Sequence, residues 1–375
     1  MQFKNIIGSE DSKAYLRRIV EHATIPHAQL LWGNPGCTAL PLALALVTYL
    51  HCENKQANDA CGQCDSCTKM TKLLHPDLIW VFPMGNISSV KKENQANKLL
   101  RTWTTFIQDS LYSNIEDWAL ALGSERKQLQ IGRPQIENMQ TLLGRKPFQS
   151  KYKTFLVWLP EYCHPVAANA MLKIVEEPRP FTIFIFISLA YHHILPTLRS
   201  RMCHIHVPNL TDEEIASALY SNHPKIASER MQEIVQITQG DYNQAQKIAA
   251  GEVNNYFEVF AHWLRSTYRH QWKAIVDSSE EFHHYTLIAQ KNWVAYAIEM
   301  ISTTLHASTG NQPKRGLSLE AVKFCNRLSK TVTLSQLEAI VEQFLVFQNI
   351  LTRNTYMRLA FLSMSLRVAS IFRKV

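Results

Sequence analysis

The sequence predicts an α/β domain built on a parallel sheet, followed by a C-terminal half that is helical throughout. Three observations carry this expectation. Short, nearly unbroken apolar runs alternate with helical or polar stretches over the first 207 residues. The first run opens into a glycine turn of the phosphate-binding type, and beyond residue 207 the strand signal stops. A strand buried on both faces reads as a continuous apolar run, as a parallel sheet covered by helices on either side requires.

The strand candidates are "AQLLW" (28–32), "DLIWVF" (77–82), "TFLVWL" (154–159), "FTIFIFIS" (181–188) and "CHIHV" (203–207). The helix after the first, "TALPLALALVTYL", is apolar nearly all round, which suits burial against such a sheet. Between the second and third runs, the stretch 84–130 is polar and charged at its ends and reads as an inserted, partly helical excursion. In "NLTDEEIASAL", Thr211 with Glu214 three residues on marks a capping-box helix start, and 208–252 reads as a small helical domain. From 253 to 375 only helical patterns occur. The last helix carries Met357, Leu359, Phe361, Leu362, Met364, Leu366 and Val368 around most of its circumference, so it is expected to pack on more than one side, within its own domain or against other subunits. Neither an internal repeat nor a low-complexity tract is evident.

At 375 residues, with 46% hydrophobic and 19% charged residues, the chain has core enough for two or three globular domains and is not of the disordered class. The N-terminus, "MQFKNIIGSEDSKAYLRR", turns polar within ten residues, and no run approaches 18 uncharged apolar residues. A signal peptide and a membrane span are therefore not expected. The expected compartment is the reducing cytoplasm, where eight cysteines do not form a disulfide framework. The net charge is +8, and residues 311–375 hold ten Lys or Arg (314, 315, 323, 327, 330, 353, 358, 367, 373, 374) against three Glu (320, 338, 342). Such a segment is either a footprint for nucleic acid or an acidic partner, or a set of solubilising helix faces.

The glycine turn lies in "LLWGNPGCTAL", where Gly33 and Gly36 follow the first strand. The pattern G-x-x-x-x-G-K-[ST] requires glycine at 38, lysine at 39 and Ser or Thr at 40; this chain has Thr38, Ala39 and Leu40. Strand, turn and helix are retained, but the lysine for the phosphates and the hydroxyl for Mg²⁺ are not.

"CENKQANDACGQCDSC" places Cys52, Cys61, Cys64 and Cys67 within 16 residues. Thiolates at C-x₂-C spacing suit tetrahedral Zn²⁺, and four of them close the coordination sphere, which favours a structural metal over a catalytic one. An iron–sulfur cluster, a redox dithiol and a lapsed site are the alternatives. The module falls between two strands, and stiffening of that excursion is its expected role. His27, Cys37, Cys163 and Cys203 are read as packing residues.

Several blocks then coincide. "IPHAQLLWGNPG", the four cysteines, "HPDLIWVFP", "VAANAMLKIVEEPRP" and "LPTLRSRMCHIHV" resemble, in this order, the ATPase-type (AAA+) domain of bacterial clamp-loader subunits, and more narrowly the delta-prime type of DNA polymerase III. The match is carried by H-A-x-L-F-x-G-x-x-G, by N-A-L-L-K-x-L-E-E-P and by S-R-C. The 84–130 insertion is left unmatched.

The resemblance implies a AAA+ parallel-sheet domain over 1–207, with a zinc module at 52–67 and the insertion at 84–130, then a helical lid over 208–252 and a helical collar over 253–375. It places the acidic pair of an active site on Trp158 and Leu159, with Glu161 only after Pro160, and a lid sensor arginine on Asn243. With Ala39 and Leu40, all four nucleotide functions are missing, so no ATP is expected in this chain and no catalysis in cis. Ser200 and Arg201 match the family's S-R, implying an arginine finger acting in trans. Asn169, Lys173, Glu176 and Glu177 are read as interface residues or as the polar side of a helix. The implied partners are the gamma/tau ATPase and delta subunits, with the sliding clamp and primed DNA reached through the complex. An active gamma/tau-type ATPase is the alternative. A zinc-dependent DNA-binding protein is a weaker one, since 52–67 holds one Lys against one Glu and two Asp.

Overall fold

The structure, a computed structural model, describes residues 1–85, 92–124, 129–224, 226–251, 256–285, 287–309, 319–351 and 356–373. Parts of the 84–130 insertion, the expected boundary at 252–253, and Lys314, Arg315, Arg353 and Lys374 of the basic segment lie outside the described residues. Two compact units are present: Met1–Pro224 with Gly240–Gln246, and Lys225–Gln239 with Lys247–Val375. The expected lid segment, 208–252, is thus shared between them.

In the first unit the elements run α1 (Glu10–Glu21), β1 (Ala28–Trp32), α2 (Ala39–His51), α3 (Asp65–Thr71), β2 (Leu78–Val81), α4 (Lys92–Asp109), α5 (Ile115–Ala121), α6 (Arg133–Leu143), β3 (Lys153–Trp158), α7 (Pro165–Glu176), β4 (Thr182–Ser188), α8 (Pro196–Arg199), β5 (Cys203–His206) and α9 (Asp212–Asn222). Then come α10 (Ser228–Thr238), α11 (Tyr242–Ala249), α12 (Tyr256–Tyr268), α13 (Trp272–His284), α14 (Leu287–Ser308), α15 (Leu319–Leu328), α16 (Leu334–Leu351) and α17 (Met357–Arg373).

The five strands form one sheet of order β2-β3-β4-β1-β5. Every pairing is parallel, with Leu30 opposite Phe186 and Leu156 opposite Ile185 at its centre. β3 and β4 are buried at every residue, and so is α2, as their unbroken apolar sequences require. On one side of the sheet Phe155, Val157, Phe184 and Phe186 pack with Ile136 and Met139 of α6 and Met171 and Val175 of α7. His27 bonds through Nε2 to the Val175 carbonyl at 3.2 Å, a packing role. At α9 the Thr211 hydroxyl accepts from Glu214 N–H, and the Glu214 carboxylate accepts from Thr211 N–H, which is the capping box of the sequence.

Below the sheet, at the amino ends of the strands, buried Asp77 accepts backbone N–H bonds from Phe148, Gln149 and Ser150 at 2.6–2.8 Å. Burial opposes its ionisation, but the three amides prevail and hold the carboxyl below the usual range. The second unit is helical. Its core joins Trp263, Phe282, Trp293, Phe344, Phe347 and Phe361, with Phe282 stacked on Phe361 at 4.2 Å and the Trp263 indole donating to Ser365 Oγ at 2.9 Å.

Candidate functional site

The glycine turn joins β1 to α2. A Cβ on Gly33 would lie 2.7 Å from Cys37 Sγ, and Gly36 has φ +78°, so each position requires glycine. The next residues face protein rather than a ligand. Thr38 Oγ1 lies 2.6 Å from Ser9 Oγ, while Ala39 and Leu40 are 0% and 4% exposed. Burial pushes the Cys37 thiol up to about 12, so it is an inert packing group, whereas Cys163 and Cys203 are only partly buried. Asp241, which caps α11 by accepting from Gln244 N–H at 3.0 Å, packs directly on the turn; a Cβ on Gly36 would come within 2.6 Å of its Cα. A carboxylate thus stands beside the turn that the pattern assigns to phosphate.

At the carboxyl end of β3, Trp158 and Leu159 occupy the acidic-pair positions and are each 1% exposed. The Trp158 ring lies 5.1 Å from that of Trp103 and 6.2 Å from that of Phe106, both on α4. Trp103 stacks on Phe82 at 4.0 Å and meets Trp118 of α5 at 4.9 Å, edge to face, and the Trp118 indole donates to the Pro83 carbonyl at 2.7 Å. Glu161 turns elsewhere: its Oε1 accepts from Leu189 and Ala190 N–H at 2.9 and 3.1 Å, holding the segment after β4. Among the described residues its buried Oε2 has no hydrogen-bond partner, and burial raises its pKa. Asn243, at the sensor position, is buried and donates to Asp117 Oδ2 of α5 at 2.7 Å.

Arg201, between α8 and β5, is exposed. It pairs with Glu176 at the end of α7 and donates to the Thr197 carbonyl at 2.8 Å; Ser200 Oγ also donates to that carbonyl, at 3.1 Å. Asn169, Lys173, Glu176 and Glu177 are likewise exposed on the same helix and its end.

The four cysteines come together. Their sulfurs all lie within 4.8 Å of one another, close to the separation of about 3.8 Å set by four bonds of about 2.3 Å to a tetrahedral Zn²⁺. Backbone N–H groups of Gln63 and Cys64 donate to Cys61 Sγ, at 3.5 and 3.3 Å, and hold that thiol down to about 6. Cys52 and Cys67 are pushed up by burial, so a metal held here would have to displace their protons. The cluster is anchored on both sides. Asp59 accepts from Phe3 and Lys4 N–H at 3.1 and 3.0 Å, and Ser66 Oγ pairs with His75 Nε2 at 2.9 Å. His75 in turn packs on His51, which is hydrogen-bonded to Thr154 of β3 at 2.8 Å and held by burial at about 3, hence neutral.

The fold and the turn define the class: an α/β domain of the AAA+ type, with helices following it. A family model described as DNA polymerase III, delta subunit, matches residues 8–211, more than half of the chain, and the chain belongs to that family. Among curated relatives, a delta′ subunit of Yersinia pestis is 30% identical over 191 residues, 50% of this chain and 44% of that protein. A delta′ subunit of Pseudomonas aeruginosa is 26% identical over 226 residues, 59% of this chain and 55% of that one. A gamma/tau subunit of Mycobacterium bovis is 26% identical over 202 residues, 54% of this chain and 28% of that protein. The chain thus spans about half the length, or less, of the curated relatives it matches. A gamma-subunit-related protein of Thermotoga maritima aligns over 96% of this chain at 15% identity, with a TM-score of 0.39.

Sequence reasoning did not find Asp241, Asp117 or the aromatic groups of α4 and α5. The α4 residues had a local signal in the helical spacing of Trp103, Phe106 and Ile107. Asp117 and Asp241 depend on contacts across more than a hundred residues.

Proposed function

We propose that this chain is a non-catalytic, delta-prime-type subunit of a bacterial DNA polymerase III clamp loader. One observation carries the reading: each position where the family pattern needs a nucleotide-binding group holds a residue packed into the protein. Ala39 and Leu40 are buried in α2, Trp158 sits in an aromatic cluster, and Asn243 is bonded to Asp117. Without the lysine, the Mg²⁺ hydroxyl, the acidic pair or the sensor arginine, the triphosphate loses several charge-assisted contacts of about 1.5–3 kcal/mol each. The chain alone binds no ATP and hydrolyses none.

Its role is then structural and in trans. Arg201 reaches the γ-phosphate of a neighbouring gamma/tau ATPase subunit, where an arginine finger is worth about 10³–10⁵ in rate. The cysteines hold one structural zinc. Segment 208–252 serves as the lid and 253–375 as the collar that joins the other subunits, delta among them. The assembly places the sliding clamp on primed DNA. The cytoplasm is the proposed setting, as for a replisome subunit; among the described residues no helix is long and apolar enough to cross a membrane. The alignments with gamma/tau proteins favour a second reading, an active ATPase subunit.

Titration calorimetry of the isolated chain with MgATP separates these readings: no heat is expected, and micromolar binding with turnover overturns the first. In the reconstituted complex, Arg201→Ala lowers ATPase and clamp loading at least a hundredfold with assembly retained, whereas Glu176→Gln, which removes only the pairing in cis, leaves both within threefold. Equal effects of the two variants refute the role in trans.

A further inference from the structure

The 84–130 insertion has no counterpart in the family pattern, and its described helices converge on the residues that replaced nucleotide chemistry. α4 supplies Trp103 and Phe106 to the ring cluster around Trp158, closing the carboxyl ends of β2 and β3. α5 supplies Asp117, whose Oδ2 takes the Asn243 amide at 2.7 Å and also the Asn114 N–H at 3.1 Å. Between the two helices, Tyr112 stands against Tyr242, ring centroids 4.8 Å apart and nearly perpendicular. Its phenol also meets the backbone of Ile7. Ile7 and Tyr242 flank the glycine turn, since Ser9 bonds Thr38 and Asp241 lies on Gly36.

We infer that the insertion is a built-in occupant of the nucleotide site. Its residues fill the space at the ends of β2 and β3 and tie the N-terminal segment, the sheet and residues 240–246 together, so that these parts keep one arrangement whether or not nucleotide is present. The inference rests on the reading of the turn as silent towards ATP, and it adds a cause. The positions of the binding groups hold Ala39, Leu40, Trp158 and Asn243, and the insertion packs on the last two. A bound nucleotide can join separate elements through its base and phosphates; here Tyr112 and Asp117 make equivalent joins to residues 7, 242 and 243 as covalent parts of the chain. The occupant is always present, at no cost in association entropy.

Hydrogen–deuterium exchange on the full chain tests this. Replacing both residues, Tyr112→Ala with Asp117→Ala, is expected to raise exchange in peptides covering 240–246 at least tenfold, with β1 and β4 unchanged as the control for folding. Tyr112→Phe keeps the ring contact and loses the hydroxyl, and is expected to raise exchange less than threefold. If the double variant leaves 240–246 unchanged, the insertion is not what holds the segment, and the inference fails while the ATP-silent reading stands. If MgATP protects residues 33–40 of the unmodified chain, the ATP-silent reading fails and takes this inference with it.

Discussion

Restoring the lost motif by Ala39→Lys with Leu40→Thr is the sharpest test of how far the site has been built over. Ala39 is 0% exposed, so a lysine there places an ammonium in a packed interior. An uncompensated buried charge costs about 3–5 kcal/mol. Leu40 is 4% exposed, and its replacement removes buried carbon and adds a hydroxyl, for roughly 2 kcal/mol more. The two positions are adjacent and share neighbours, so their costs do not add fully, and about 4–6 kcal/mol is expected for the pair. That is a large part of the roughly 5–15 kcal/mol typical of a domain. Urea unfolding with and without excess MgATP measures both sides. The midpoint should fall and should not respond to nucleotide, because Trp158, Asn243 and the Asp241 carboxylate are unchanged. Were ATP bound at a hundred times its dissociation constant, it would return about 2.7 kcal/mol. An unshifted midpoint, or a rise of that size with MgATP, refutes the reasoning.

The remaining predictions concern the metal and two buried carboxylates. Elemental analysis should find about one zinc per chain, and Cys64→Ser should abolish it; because serine can still accept the Cys67 N–H that caps α3, any loosening of 52–67 by hydrogen exchange then reports the metal. Glu161→Gln should stabilise the chain at pH 7. The folded pKa of Glu161 is raised by burial, so its contribution is fully present below the ordinary carboxylate pKa and lost as pH rises through the folded one. Each tenfold gain in proton affinity on folding corresponds to about 1.4 kcal/mol. Melting temperatures across pH 4–8 check this, and a gain that does not shrink towards pH 4 counts against it. Asp77→Asn should destabilise by about 1.5–3 kcal/mol, since one amide oxygen can keep the Gln149 and Ser150 bonds but turns an N–H₂ on Phe148. Because the Asp77 pKa is depressed, its stabilisation is present above the ordinary aspartate pKa and lost as pH falls through the folded one, so the variant's deficit should vanish in acid.

What was legible in the sequence was whatever local pattern decides. The five apolar runs fall on the five strands to within about one residue at each end, because strands covered on both faces read as near-continuous apolar runs, and only the edge strand β5 alternates, with His204 and His206 exposed. Cys52, Cys61, Cys64 and Cys67 are near one another in sequence, so their meeting needed only a tight loop. The Thr211–Glu214 box spans four consecutive residues. The role of the insertion was not legible, because it is defined by pairs such as Trp103 with Trp158, Tyr112 with Tyr242 and Asp117 with Asn243. No periodicity within 84–130 says which distant residues its apolar and acidic groups will meet. The polar ends of the stretch pointed to an excursion from the domain, whereas its middle is drawn into the core.

Burial separates the positions of the proposed silent site from Arg201. A site shaped for a ligand holds polar groups towards an open space, and those groups cost stability until the ligand arrives. At Ala39, Leu40, Trp158 and Leu159 no side chain is more than 4% exposed, so these positions contribute to folding by burial. Arg201 is different. Its side chain remains 38% exposed and its partner Glu176 43% exposed, and an ion pair so open to water is worth about 0–1 kcal/mol. Stability alone is a weak reason to hold a guanidinium there. The same exposure makes it easy to surrender: exchanging one carboxylate for a triphosphate costs at most that small sum and gains a more highly charged, bidentate partner. The proposed action of Arg201 on a nucleotide held by another subunit would use this exposure, beside an edge strand, as stability alone does not.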